Sequence, residues 1–413
     1  MSSEIVAKLF RPLLWQHMRA DFLPFEVIPV DHFRLLNKSL FSQRRFLAVL
    51  LLFASGVAAA SRIGTQSAAT ATAQEKSASY AAAREHARAL AKEWLARGIP
   101  GFNVAVAIDG KIIYSEGFGY ADLEQRVPAW QITKFRIGSV SKPLTSAALM
   151  KLVEQGKIDL DAPIQKYVPT FPDKGALITP RMLAGHLGGI RHYKENEVDN
   201  QKHYDSVVAG LERFQNDPLV VPPGTKFSYS SYGYNLLSAA MEAAAGKPFL
   251  EFEQEQVFTP LGLLNTSADQ PADIIPQRAR FYSGAKGVPT RNSMFVDNSY
   301  KWAGGGFIST SEDLVRFGSV LFQPGYLKAE SLAMLFTPQK TKDGKETNYG
   351  MGWFIGKSKS GKRIFEHSGG SVGGTSDLIL YSDTHMVVAF VCNYDGESWK
   401  GEEVQALAEA FEK

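Results

Sequence analysis

Strand-type alternation occurs at the two ends of this chain and is sparse between them. At the front, Phe102-Asn-Val-Ala-Val-Ala-Ile108 and Lys111-Ile-Ile-Tyr-Ser115 flank Asp109-Gly110. Two β-rich runs around an Asp-Gly pair predict a hairpin. At the back, Gly350–Ile355, Arg363–His367, Thr375–Tyr381 and Met386–Asn393 are four further strand candidates, and Glu402–Phe411 is patterned as a closing helix. From about residue 157 to 330 the pattern is mostly helical segments broken by Gly and Pro turns. The two ends are therefore expected to build one antiparallel sheet flanked by helices, with the middle as a helical insertion. The fold class is α+β, a three-layer αβα domain over residues 80–413, with its sheet part at about 80–138 and 335–413 and its helical part at about 139–334. Tyr80 to Arg97 carries Ala, Leu and Trp positions spaced for an amphipathic helix, stopped by Gly98 and Pro100.

Charge is close to balanced, with a net value of +3. No basic stripe with interleaved aromatics stands out, which argues against a nucleic-acid partner. The single cysteine, Cys392, excludes an intramolecular disulfide and a Cys-rich metal site. It lies in the apolar run Val387–Cys392 and is expected to be a buried, inert thiol. The histidines are scattered and no His-Glu-x-x-His occurs, so no metal is expected.

Arg44-Arg45, the apolar run Phe46–Val57 and Ala58-Ala59-Ala60 read as an export signal, shorter than the ~20 residues of a membrane span. The expected localisation is the bacterial periplasm or the medium. An uncleaved anchor through residues 46–60 is the alternative. Because residues 1–43 precede the signal, translation is hypothesised to begin near Leu36 or Leu40; detecting a peptide from residues 1–35 in cells would sink that idea. Residues 63–79, rich in Ser, Ala, Thr and Gln, read as a linker.

The candidate chemistry starts at Ser139-Val140-Ser141-Lys142-Pro143. Positions i and i+3 share a helix face, so an amine can stand against a hydroxyl, which is too weakly acidic to attack unaided. Pro143 is tolerated only in a first turn, which starts a helix near Ser139 to Lys142. Leu144, Ala148, Leu149, Leu152 and Val153 supply its apolar face, and Gly156 its stop. The N–H groups at such a terminus suit an oxyanion.

Two rival motifs fail. Gly356-Lys-Ser-Lys-Ser-Gly361-Lys362-Arg363 lacks the Ser/Thr and the helix of a phosphate loop, and reads as a β-turn. Gly369-Gly370-Ser371-Val372-Gly373 fits Gly-x-Ser-x-Gly, but a strand-like segment follows where a helix is required, so it reads as a glycine-rich strand edge.

Three separated pieces, Ser139-x-x-Lys142, Tyr229-Ser230-Ser231 and His367-Ser368-Gly369, resemble in order and spacing the Ser-x-x-Lys, Tyr-x-Asn and Lys/His-Thr/Ser-Gly motifs of the serine β-lactamase and penicillin-binding superfamily. The likeness is to its class C, DD-peptidase and esterase branch. Leu187–Tyr193, Asn216–Leu219, Arg278–Tyr282 and Val296–Phe307 are similar to the mitochondrial serine β-lactamase-like group and its bacterial relatives. The resemblance implies a serine β-lactamase-like fold and no cofactor. It implies Ser139 as the acylated nucleophile, Lys142 and Tyr229 as the proton-handling pair, and the backbone N–H groups of Ser139 and Gly370 as the oxyanion hole. Ser231, His367 and Gly369 are implied at the substrate.

Ser231 stands where Asn is usual, and His367 where β-lactamases often carry Lys, so a fixed positive charge is lost at neutral pH. No second acidic base is evident. The expected activity is peptide or ester hydrolysis with weak β-lactamase activity. The alternative is a penicillin-binding or assembly-forming scaffold, and a homo-oligomer is implied by the mitochondrial group's polymerising habit.

Overall fold

The Asp109-Gly110 pair turns the chain with φ of 49° and 77°, the paired positive values of a type I′ hairpin. The computed structural model describes residues 80–194, 197–285, 288–396 and 401–412, all within the compact unit Ala69–Lys413. The export signal or anchor and the linker, expected over 1–62 and 63–79, lie outside the described residues. Among those described, no helix is long and apolar enough to cross a membrane.

Helix α1 (80–96) leads into β1 (Gly101–Ile108), β2 (Lys111–Asp122), β3 (Val127–Pro128) and β4 (Phe135–Arg136). The middle holds α2 (Ser141–Glu154), α3 (Pro180–Ala184), α4 (Ser231–Ala245), α5 (Phe249–Glu253), β5 (Ser267–Ala268), β6 (Tyr282–Ala285), β7 (Val288–Asn292), α6 (Trp302–Gly305), β8 (Phe307–Ser309), α7 (Ser311–Val320) and α8 (Ala329–Phe336). The back supplies β9 (Phe354–Lys357), β10 (Arg363–Ser371), β11 (Gly374–Tyr381), β12 (Met386–Cys392) and α9 (Gly401–Glu409).

The two ends meet in a seven-stranded sheet of order β3-β2-β1-β12-β11-β10-β9, antiparallel throughout. The junction is β1 on β12, in register from Phe102↔Cys392 to Ile108↔Met386. One face presents Phe102, Val104, Val106, Ile379, Val388 and Phe390 to Ala83, Ala87, Ala91 and Trp94 of α1 and to Val404, Leu407 and Phe411. Those α1 positions fall on one helical stripe. The other face presents Ala105, Leu378, Leu380, Val387 and Ala389 to the core shared with α2, α4 and α7. Each fully buried large apolar side chain contributes roughly 1.5–3 kcal/mol, so a strand covered on both faces becomes a continuous apolar run. Cys392 lies in this sheet, buried as expected, and burial pushes its thiol up to about 12.

Two differences from the sequence reading have clear causes. The strand expected from Gly350 begins only at Phe354. Gly352 has φ +86°, and a Cβ there would lie 2.4 Å from Ser146 Oγ; the chain presses onto α2 here and buries Met351 and Trp353 as loop residues. The middle is also not purely helical. It adds β8 and β5 to β4 in a small sheet and forms the β6-β7 pair, and α7 packs on β1 and β12 of the main sheet.

The Gly356–Gly361 segment is a hairpin turn between β9 and β10, closed by Ser358 N–H to Lys362 O at 2.8 Å. Gly369–Gly373 runs along the end of β10 and turns into β11. Both match the strand readings given above.

Candidate active site

Ser139 sits in a single 3₁₀ turn, Gly138–Val140, that feeds directly into α2. Gly138 makes the turn possible: its φ is +47°, and a Cβ would lie 2.4 Å from the Gly370 carbonyl oxygen. Only glycine adopts that conformation without cost while allowing so close an approach. Pro143 takes the third position of α2, where no intrahelical N–H is needed.

Lys142 is fully buried. Its Nζ lies 2.9 Å from Ser139 Oγ, 3.0 Å from Ser231 Oγ and 2.6 Å from the Gly304 carbonyl oxygen. Burial, and then the nearby Lys301 charge, hold the amine well below the usual lysine range. A neutral amine has two hydrogens and one lone pair. The Gly304 carbonyl can only accept, so one hydrogen goes there. With the second on Ser231 Oγ, the lone pair is left for the Ser139 hydroxyl proton. Such an arrangement can take a proton from Ser139 as its oxygen attacks.

Tyr229, just before α4, brings its phenol beside the hydroxyls of Ser139 and Ser231. Burial pushes it up to about 12 against those two hydrogen bonds. It is therefore a neutral donor at pH 7, and its ring stands 4.9 Å from Lys142 Nζ. Ser230 caps α4 through Gly233 N–H at 2.9 Å, which fixes the turn holding both Tyr229 and Ser231.

Ser139, Ser231 and Gly370 share the wall of a cleft of about 800 Å³. On β10, burial alternates from His367 to Gly370, with Ser368 and Gly370 outward. Ser371 and Gly374 flank the two-residue turn, so they form the hydrogen-bonded pair and Gly370 the next, non-hydrogen-bonded one. Its N–H consequently points away from β11, on the side where the Ser139 turn approaches.

The same parity corrects two sequence expectations. His367 is 1% exposed and does not line the cleft. Its Nε2 accepts from Tyr349 Oη at 3.0 Å and its Nδ1–H donates to the Ser368 carbonyl at 2.7 Å. Burial, and then the Lys142 charge, pull it down to about 3, so it is a neutral prop within the aromatic group around Tyr229. Gly369 also faces inward: a Cβ there would meet the Ile137 carbonyl oxygen at 2.0 Å. It lets β10 press against the Ser139 turn and offers no wall to a substrate.

Sequence reasoning missed His192, Lys301 and the Gly304 carbonyl. His192 lines the cleft and accepts the Ser231 N–H at Nδ1, at 3.2 Å. Burial, and then Lys142 and Lys301, lower it to about 4. Lys301 lines the cleft too, with its pKa lowered to about 8, first by burial and then by Arg136. The available signal was a lysine set between Tyr300 and Trp302 in a glycine-rich apolar run.

A family model described as "Beta-lactamase" matches residues 81–410. The human protein "Serine beta-lactamase-like protein LACTB, mitochondrial" is 34% identical, over 72% of this chain and 74% of its own length. The octameric penicillin-binding protein homologue from Pyrococcus abyssi superposes with a TM-score of 0.68 at 26% identity, covering 78% of this chain and 76% of that one. A D-stereospecific amidohydrolase from Streptomyces sp. does so with a TM-score of 0.64 at 25% identity, covering 76% and 94%.

Proposed function

The chain belongs to the beta-lactamase family, and from that premise we propose that it is a serine hydrolase turning over a peptide or ester through an acyl-enzyme on Ser139. The observation that carries the proposal is the buried Lys142 amine, 2.9 Å from Ser139 Oγ, where burial holds it well below the usual lysine range. Ser139 Oγ bonds to the carbonyl carbon while its proton passes to the Lys142 lone pair. The carbonyl π electrons move to oxygen, which the N–H groups of Ser139 and Gly370 receive. Collapse expels the amine or alkoxide, protonated by the Lys142–Tyr229 pair. Water then repeats the sequence on the acyl carbon and releases the acid. Similarity to an amidohydrolase supports amide or ester bonds as targets.

Weak β-lactamase activity is part of the proposal. Ser231 presents only a short hydroxyl, which accepts from Lys142, and His367 is buried and neutral, so neither supplies the amide or fixed cation expected for a β-lactam. Assays on 4-nitrophenyl esters, peptide anilides and a chromogenic cephalosporin, each with Ser139→Ala as control, test both parts. Ester or anilide turnover that vanishes in Ser139→Ala is expected. Cephalosporin hydrolysis as fast as ester turnover would overturn the weak-lactamase part.

Assembly into several copies is supported by the likeness to an octameric homologue; a monomer in light scattering would oppose it. Export is supported by the basic, apolar and small-residue pattern at residues 44–60, and an uncleaved cytoplasmic product would refute it.

A further inference from the structure

Among the described residues, Lys301 is a charge without an ion-pair partner in the wall of the cleft. Its side chain is 4% exposed, yet among the described residues no carboxylate lies within the 4.0 Å of an ion pair with it. Its Nζ instead stands 5.6 Å and 5.8 Å from the ring centres of Tyr300 and Tyr193. Burying an ammonium without an anion is expensive. Neighbouring cations fare differently: Arg136 is paired with Asp269 at 2.6 Å, and Arg191 with Glu197 and Asp217.

The surroundings favour an incoming anion. Arg136 and Arg213 push on the Lys301 charge, while Asp269 and Asp199 pull on it from beyond contact distance. Arg291, on β7, adds a second cation to the same cleft. Two carboxylates line the cleft with Lys301: Asp199, which raises the Lys301 pKa without forming an ion pair with it, and Asp395, which is engaged by Ser283 Oγ and Gly373 N–H, both at 2.8 Å.

We propose that Lys301 is a specificity residue, the anchor for a carboxylate carried on the substrate's acyl portion. It lines the same cleft as Ser139, Tyr193, Ser231 and Gly370. A carboxylate there completes the ion pair that the fold leaves open, and exchanges the tyrosine faces for a charge-assisted hydrogen bond. The cleft thus regains, from a different residue, the positive charge that His367 does not provide. Because the pKa of Lys301 is lowered to about 8, the anchor is charged at pH 7 and fades as pH rises past that value.

The proposal rests on the hydrolase reading, and the test separates the two. Turnover is compared for 4-nitrophenyl hydrogen adipate and the matching adipamate, which differ only by carboxylate against amide. The acid should exceed the amide in kcat/KM by roughly ten- to hundredfold at pH 7. That ratio should collapse toward one in Lys301→Met, survive in Lys301→Arg, and fall in the wild type as pH passes 8. Using the ratio cancels any effect of Lys301 on Lys142, and melting curves confirm that each variant folds. A ratio unchanged in folded Lys301→Met overturns the anchor while leaving the hydrolase intact. If neither ester is turned over above the Ser139→Ala background, the hydrolase reading fails, and binding decides the anchor. Calorimetry on the Ser139→Ala protein should then show tighter binding of adipate monoamide than of adipamide, a difference lost on adding Lys301→Met; equal binding of the two overturns it.

Discussion

Replacing Lys142 by Met separates the chemistry of the amine from its role in packing. Met occupies a similar volume, so the fully buried site stays filled. Three hydrogen bonds disappear, to Ser139 Oγ, Ser231 Oγ and the Gly304 carbonyl. An unsatisfied carbonyl costs about 1–3 kcal/mol. Against this, the protein no longer buries an amine whose charged form is held down by desolvation, a penalty of comparable size. The net change in stability should therefore stay within about 2 kcal/mol. The rate responds far more, because loss of a positioned base costs about 10²–10⁴.

The assay is the second-order rate of Ser139 labelling by a fluorophosphonate at pH 7, with a thermal melt on the same sample. Lys142→Arg sharpens it. A guanidinium keeps the cation but cannot be deprotonated in a protein, so it should be as slow as Met. The wild-type rate should rise with pH through a limb well below 10.5, since the lowered pKa leaves the neutral, active amine dominant above it. Labelling of Lys142→Met within threefold of wild type would refute the assignment of Lys142 as base.

Other outcomes follow from the same geometry. In Gly138→Ala, an alanine at φ +47° meets the Gly370 carbonyl oxygen at 2.4 Å. The left-handed backbone costs roughly 1–2 kcal/mol, and displacing the two facing N–H groups should slow acylation by about 10²–10³; near-normal labelling would show that the groups do not act together. Glu253 is fully buried, and burial raises its carboxyl to about 8. The folded state keeps a proton there that the unfolded chain has lost above 4.5, so this contribution is lost as pH rises through about 8. Glu253→Gln should therefore melt higher than wild type at pH 9 and no higher at pH 5, as read by calorimetry.

What could be read from the sequence follows from which interactions are local. The hairpin at Asp109-Gly110 and strands β10 to β12 were legible because a two-residue turn and double-sided burial leave their marks on adjacent residues. Met351 and Trp353 are just as buried, but an apolar run that packs as a loop has the same composition as a strand. Strands of two residues such as β4 and β5 are too short for any period. At the site, Ser139 and Lys142 were readable because their contact is made within one helical turn. The inward facing of His367 and Gly369 depends on strand parity, which a motif does not encode. Lys301 comes to the cleft only when α4, α6 and the turn before α6 pack together.

The central claim is that Ser139, and not Ser141 or Ser231 beside it, becomes acylated. Peptide mapping by mass spectrometry after fluorophosphonate treatment tests it most directly. One phosphonate per chain is expected, on Ser139, absent from Ser139→Ala and strongly slowed in Lys142→Met. An adduct on Ser231 or Ser141, or an undiminished adduct in Ser139→Ala, would contradict it.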